Sequence, residues 1–78
     1  MTVKVLGAGC TKCTVLYERL LDLKAKYLLD IEIEKVTQLT EIMDYGIMMT
    51  PGLVINEQLK SSGKIPAEDE ILNWIKEG

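Results

Sequence analysis

The chain has 78 residues, of which 47% are hydrophobic, and a formal net charge of −3. This length predicts one domain, residues 1–78, built around a single hydrophobic core. Lysines and arginines are spread along the chain and form no basic stripe, which argues against nucleic acid as a partner. The first residues pass directly into a strand pattern rather than a charged leader with an apolar stretch, and no apolar run is long enough to span a bilayer, so we expect a cytoplasmic protein with no membrane partner.

The first half of the chain predicts a strand followed by a long helix. Residues 2–6 read as a strand, and a glycine-containing turn at 7–9 leads into an amphipathic helix from Thr11. Apolar residues recur at intervals of four, three and four along this helix, which predicts that one face covers a sheet. These residues are Leu16, Leu20, Leu23 and Tyr27.

The second half predicts three more strands and two more helices. Residues 31–36 alternate as a strand, and a short helix follows and ends near Gly46. Residues 52–55 and 58–61 read as the two strands of a hairpin. Pro66 opens the last helix, with acidic residues in its first turn. The apolar side of that helix is predicted to be core and contains Ile71, Leu72, Trp74 and Ile75.

The element order is therefore β-α-β-α-β-β-α, an α/β arrangement. The two strands that flank the first helix need a right-handed crossover and should be parallel, whereas the last two strands form an antiparallel hairpin. A mixed four-stranded sheet with helices on both faces follows from this pattern.

The chemistry of the chain is concentrated in its only two cysteines, Cys10 and Cys13. Cys10 lies where the first strand turns into the helix, so its thiol faces unpaired backbone N–H groups and the positive end of the helix dipole. These features favour the thiolate, which is the form that attacks disulfides. Cys13 follows about one turn later, close enough to form a disulfide with Cys10. The pair therefore indicates thiol–disulfide exchange, with Cys10 as nucleophile and Cys13 as resolving thiol.

Two other interpretations of the pair remain open. A structural disulfide would close so short a loop that it would remove little entropy from the unfolded chain. A soft metal or metalloid could bind the two thiols, but the chain has no histidine and no third cysteine, so further ligands would have to come from elsewhere. The metal-carrier hypothesis is the alternative function, and no metal or cofactor is assigned from the sequence.

The cysteine pair after the first strand, together with Thr50-Pro51 before a later strand, resembles the thioredoxin and glutaredoxin superfamily in its smallest form. The resemblance covers essentially the whole chain and is closest to small redox-active disulfide proteins. It implies the minimal thioredoxin fold, a cis Thr50–Pro51 peptide bond beside the cysteines, and a Thr50 backbone that pairs with a bound substrate chain. It also implies protein disulfides as substrates, a flavoprotein thioredoxin reductase as a candidate partner, and a monomer.

Several positions depart from the better-known members of this superfamily. Thioredoxins bury an acidic residue six positions before the nucleophile, where it assists proton transfer to the resolving thiol, whereas this chain has Lys4. The spacer is Thr11-Lys12, and Lys12 is interpreted as a solvated cation rather than a catalytic residue. The segment before Thr50 contains Met48 and Met49, whose flexible side chains could form an apolar rim for partners or fill the core. The glutathione-binding pattern of glutaredoxins is absent, which favours protein or flavoprotein coupling.

Overall fold

A computed structural model describes residues 1–7, 9–47 and 49–77. The chain order is β-α-β-α-β-β-α, as predicted. The elements are β1 (Thr2–Leu6), α1 (Thr11–Tyr27), β2 (Glu32–Val36), α2 (Leu39–Asp44), β3 (Gly52–Ile55), β4 (Gln58–Ser62) and α3 (Glu68–Glu77).

The four strands form one mixed sheet in the order β2-β1-β3-β4. Strands β1 and β2 are parallel, whereas β3 runs antiparallel to both β1 and β4, so the predicted crossover and hairpin are confirmed. Leu6 is in register with Val36 on one side and Gly52 on the other. The ends of β1 and β2 and the start of β3 therefore meet at one edge of the sheet. The link into α1 and the segment that precedes β3 leave from this edge.

The core lies on both faces of the sheet, because alternate strand residues point to opposite sides. One cluster packs α1 and α3 against the sheet and contains Val3, Val5, Leu16, Leu20, Leu23, Ile31, Leu53, Ile55 and Ile71. Trp74 packs against this cluster, as the sequence predicts for the last helix. The second cluster packs α2 on the other face and contains Leu6, Val36, Ile42 and Val54. Helices therefore cover both faces.

Two boundaries differ slightly from the sequence prediction. Helix α3 begins at Glu68 rather than at Pro66, and Ala67 makes the hydrogen bonds of an N-cap. The Ala67 carbonyl accepts the N–H of Ile71 at 3.1 Å, and the Ala67 N–H donates to Glu70 Oε1 at 3.3 Å. Strand β4 extends one residue further than predicted, to Ser62. In the described part of the chain, no helix has the length and apolar character needed to cross a membrane.

The β3–β4 turn has the geometry that a tight hairpin needs. Asn56 and Glu57 both have positive φ, 50° and 66°, which matches the twist of the flanking strands. The Asn56 N–H also donates to the carbonyl of Thr2 at 3.0 Å. This turn therefore lies at the end of the sheet opposite the β1–α1 link.

Candidate active site

Cys10 and Cys13 are joined by a disulfide at the start of α1, so the structure represents the oxidised protein. Cys10 is the N-cap of the helix and has extended backbone angles, and the two Cα atoms are 5.1 Å apart. The Sγ atom of Cys10 accepts the backbone N–H of Cys13 at 3.1 Å. An N-terminal helix N–H is therefore aimed at the Cys10 sulfur, where it would stabilise a negative charge.

The two sulfurs differ in their access to solvent. Cys10 is partly exposed, whereas Cys13 is only 5% exposed and lies beneath it against the edge of the sheet. Solvent or a partner therefore reaches Cys10 first.

Gly7 makes room for the buried cysteine. A Cβ atom at Gly7 would overlap Cys13 Sγ and would lie 3.3 Å from Cys13 Cβ and 3.5 Å from Thr50 Cβ. From the sequence, Gly7 was predicted only as part of a tight turn, and this contact was not predicted. A single sequence contains no local signal for it, because the contact depends on where α1 and Thr50 meet.

Thr50 and Pro51 lie at the same edge of the sheet as the cysteine pair. Their peptide bond is cis, Pro51 is buried and Thr50 is exposed. The Pro51 carbonyl accepts the N–H of Gly63 at 2.9 Å, and this bond ties the segment to the turn after β4. The structure thus brings together the four residues that the sequence analysis assigned to the site.

Met49 is an exposed apolar residue beside Thr50. Its side chain is 65% exposed, and its carbonyl accepts the Ser62 hydroxyl at 2.9 Å. Its Cβ and Sδ atoms pack against Gly63, where an added Cβ would lie 3.1 Å and 3.4 Å from them. Met48, the other candidate for an apolar rim, lies outside the described residues.

A cavity of about 160 Å³ adjoins Cys13 on the face of the sheet that α1 covers. Its lining residues are Val5, Gly7, Gly9, Cys13, Thr14, Lys35 and Thr37. Lys35 comes from β2, and its ammonium nitrogen lies 4.3 Å from the centre of the Tyr17 ring. Neither residue has a local sequence signal for a role at the site, since Lys35 lies in an alternating strand and Tyr17 matches no motif.

Lys4 is directed away from the cysteines. Its ammonium group donates to Glu57 Oε1 and to the Tyr45 hydroxyl, each at 2.9 Å, and the Tyr45 hydroxyl donates to Glu57 Oε2 at 3.1 Å. The hydrogen bonds that Lys4 donates, first to Glu57 and then to Tyr45, raise the pKa of Lys4, and the bond from Lys4 is the main cause of a lowered pKa for Glu57. Lys4 occupies the position that carries an acid in thioredoxins. It is therefore a cation there, paired with Glu57 of the β3–β4 turn.

No preformed metal cluster accompanies the pair within residues 1–7, 9–47 and 49–77. There, no group of three or more His, Cys, Asp or Glu side chains is arranged to hold an ion. Lys12, which lies between the cysteines in the sequence, is exposed.

Comparison with known proteins gives consistent results over nearly the full length. The profile of the family described as "Thioredoxin domain" matches residues 1–76. A thioredoxin of Methanocaldococcus jannaschii is 33% identical over 76 residues, which cover 97% of this chain and 87% of that protein. A thioredoxin of Methanothermobacter thermautotrophicus is 28% identical over 71 residues, which cover 91% of this chain and 92% of that protein.

Solved structures share the fold at lower sequence identity. A malarial protein superimposes with a TM-score of 0.70 at 17% identity, covering 97% of this chain and 93% of its own. Thioredoxin-2, described as a component of the protein secretion machinery of the malaria parasite, superimposes with a TM-score of 0.69 at 19% identity. That match covers 99% of this chain and 84% of thioredoxin-2.

Proposed function

Because this chain belongs to the thioredoxin domain family and is a thiol–disulfide oxidoreductase, we propose that it exchanges disulfides with protein substrates through Cys10 and Cys13. Cys10 is the attacking thiol and Cys13 the resolving thiol. The observation that carries this assignment is the difference in their surroundings: Cys10 is the accessible sulfur and receives a helix N–H, whereas Cys13 is 5% exposed.

The reaction consists of two displacements in which atoms and electrons balance. The Cys10 thiolate attacks one sulfur of the target disulfide, forms a mixed disulfide and releases the other target sulfur as a thiolate, which takes up a proton. Deprotonated Cys13 then attacks the Cys10 sulfur, closes the Cys10–Cys13 disulfide and releases the second target thiolate, which is also protonated. The target gains two electrons and this protein loses two.

Thr50 and Pro51 are proposed to contact the substrate chain next to its reacting sulfur. Thr50 is exposed, its Cβ lies near Gly7 beside Cys13, and the hydrogen bond from Gly63 to Pro51 positions the segment. An extended peptide could therefore pair with the Thr50 backbone while its sulfur reaches Cys10. Hydrogen exchange of the Thr50 amide in a trapped peptide complex would test this contact, because pairing should slow the exchange.

The cellular setting is proposed on family grounds. A flavoprotein thioredoxin reductase recharges the pair, and the protein acts as a monomer in the cytoplasm. Reduction of the purified protein by such a reductase with NADPH, followed as NADPH consumption, tests the electron donor. If the reductase did not reduce the pair while dithiothreitol still did, such a reductase would be rejected as the electron donor.

The assigned cysteine roles are tested with two single variants. Cys10→Ser should abolish exchange with a protein disulfide, whereas Cys13→Ser should accumulate a mixed disulfide on Cys10 that is visible by mass spectrometry. If Cys10→Ser instead trapped the substrate on Cys13, the roles would be reversed.

A redox titration and a metal-binding measurement separate disulfide exchange from the metal-carrier alternative. A redox protein should show a reversible two-electron transition in dithiothreitol buffers, read by thiol labelling of metal-free protein. Stoichiometric binding of a soft metal with no such transition and no turnover would favour the carrier.

A further inference from the structure

The Thr50 N–H that meets the substrate chain needs a defined direction, and its immediate surroundings do not supply one. Thr50 is exposed and belongs to no helix or strand. No hydrogen bond joins its N–H to another described residue. The backbone can rotate on either side of a peptide group that nothing holds, so that the N–H points away from a bound chain for part of the time. The direction of the Thr50 N–H must therefore be fixed from elsewhere.

The carbonyl of Met49 offers that control, because it belongs to the same peptide group as the Thr50 N–H. The Met49–Thr50 peptide bond is trans. In a trans peptide the C=O of one residue and the N–H of the next lie in one plane and point in opposite directions. A group that holds the Met49 oxygen on one side therefore directs the Thr50 N–H to the other.

Ser62 holds this oxygen. Its hydroxyl donates to the Met49 carbonyl at 2.9 Å, and within residues 1–7, 9–47 and 49–77 no other group donates to it. Ser62 is the last residue of β4 and pairs with the first residue of β3, so the sheet fixes its position. The next residue, Gly63, donates its N–H to the Pro51 carbonyl at 2.9 Å. Two bonds from the end of β4 thus hold the segment on both sides of Thr50.

We propose that Ser62 is a positioning residue for protein substrates, whose hydroxyl orients the Met49–Thr50 peptide so that the Thr50 N–H faces the backbone of the bound chain. Ser62 acts through the Met49 carbonyl and takes no part in the transfer of electrons. It raises the fraction of molecules in which Thr50 is ready to pair, and the apparent affinity for a peptide disulfide rises with that fraction. A small disulfide without a peptide group gains nothing from it. This inference rests on the proposed contact at Thr50.

The Met49 side chain is held by a different contact. Its Cβ and Sδ atoms would lie 3.1 Å and 3.4 Å from a Cβ added at Gly63, so the side chain packs against that glycine. Ser62→Ala leaves this packing in place. The effect expected of Ser62→Ala is therefore on the direction of the Met49–Thr50 peptide and not on the exposed apolar side chain.

The neighbouring Ser61 provides a matched control in the same strand. Consecutive strand residues point to opposite faces of a sheet, so the two hydroxyls have different surroundings. Ser61 is 7% exposed, and its hydroxyl has no hydrogen-bond partner in the part of the chain that the structure describes. Ser61→Ala therefore removes the same atom as Ser62→Ala without breaking a hydrogen bond. Ser62→Thr keeps the donor and is the rescue variant.

The test compares two disulfides that release the same coloured thiol, thionitrobenzoate. In one it is linked to the cysteine of an extended peptide, and in the other to mercaptoethanol, which has no peptide group. The full chain carries Cys13→Ser, so that attack by Cys10 is the only step, and the release rate is followed in a stopped-flow instrument as the disulfide concentration is raised. The half-saturating concentration reports binding, and the maximal rate reports attack.

Ser62→Ala should raise the half-saturating concentration of the peptide disulfide about three- to tenfold, as expected for the loss of one hydrogen bond, and should change the maximal rate less. The loss should be much smaller with the mercaptoethanol disulfide. Ser62→Thr should restore the peptide value, and Ser61→Ala should match the parent. If Ser62→Ala folds, by circular dichroism, and either binds the peptide like the parent or loses equally with both disulfides, the proposal is wrong.

Hydrogen exchange separates this inference from the substrate contact on which it rests. In the Cys13→Ser protein joined to the peptide through Cys10, the Thr50 amide should be protected, and Ser62→Ala should reduce that protection whereas Ser61→Ala should not. If the amide is unprotected even with Ser62 in place, the contact at Thr50 is wrong and this inference fails with it. Equal protection with and without Ser62→Ala would leave the contact standing and reject the role of Ser62.

Discussion

Lys4 Nζ lies 2.9 Å from Glu57 Oε1 and joins the centre of the sheet to the β3–β4 turn across 53 positions of sequence. The Tyr45 hydroxyl, just beyond α2, bonds to both groups, so three separate parts of the chain meet at this ion pair. The Lys4 side chain is 21% exposed and that of Glu57 is 67% exposed.

This pair should make stability depend on pH at both ends of the range. Lys4 lowers the pKa of Glu57 in the folded protein. The contribution of Glu57 to the free energy of unfolding is therefore present above the ordinary pKa of 4.5 and is lost as the pH falls through the lowered pKa of the folded protein. Glu57 and Tyr45 raise the pKa of Lys4 in the folded protein. The contribution of Lys4 to the free energy of unfolding is therefore complete below the ordinary pKa of 10.5 and is lost as the pH rises through the raised pKa of the folded protein.

Glu57→Gln should therefore be less stable than the parent at neutral pH, and the difference should disappear in acid, where Glu57 of the parent is also neutral. Urea unfolding over a series of pH values measures this. Glu32→Gln, which alters an exposed carboxylate on β2, is the matched control and should change stability less. A Glu57→Gln deficit that persisted unchanged in acid would contradict the assignment.

Gly7→Ala should disturb both stability and exchange, because the added Cβ overlaps Cys13 Sγ. We expect a loss of about 1–3 kcal/mol in the oxidised protein, typical of overpacking, together with slower disulfide exchange. Chemical denaturation and an insulin-reduction assay measure the two effects.

Gly46→Ala is the control for that variant. Gly46 has φ +77° with nothing within 4 Å of an added Cβ, so only backbone strain of about 1–2 kcal/mol is expected. Exchange should be unaffected. Equal losses of exchange in both variants would show that the Cys13 contact is not the cause.

Leu20 and Leu21 are neighbours on α1 with opposite environments. Leu20 is fully buried, whereas Leu21 is 42% exposed. Leu20→Ala should cost about 2–5 kcal/mol through lost burial and a residual cavity, and Leu21→Ala should stay within about 0.5 kcal/mol of the parent. Thermal and urea unfolding measure both, and similar losses would mean that α1 packs through a different face.

Met49→Ala should weaken use of protein substrates, because it removes an exposed apolar side chain next to Thr50. A rise of about two- to fivefold in KM with little change in kcat is expected for the loss of a modest apolar contact. Met43→Ala on α2 removes a side chain with similar exposure, 63%, and should not change KM. An unchanged KM for Met49→Ala would remove Met49 from the substrate surface.

The element order and strand directions could be predicted because they depend on short-range patterns. The four-residue spacing from Leu16 to Leu20 identifies the buried face of α1, and the helix between β1 and β2 requires a parallel crossover. The position of Cys10 at a helix start is equally local, since it needs only a strand, a turn and a helix in succession. The start of α3 was predicted two residues early, at Pro66, because Ala67, which has no side-chain cap group, serves as the cap.

The sequence alone therefore determined the two cysteines, their spacing and the fold that presents them, since each is encoded by residues close together in the chain. Only the tertiary structure decided that Lys4 pairs with Glu57, that Gly7 accommodates Cys13, and that Lys35 and Tyr17 meet beside the cavity. These contacts join residues on different elements. Their existence depends on strand register and helix placement, which local periodicity does not specify.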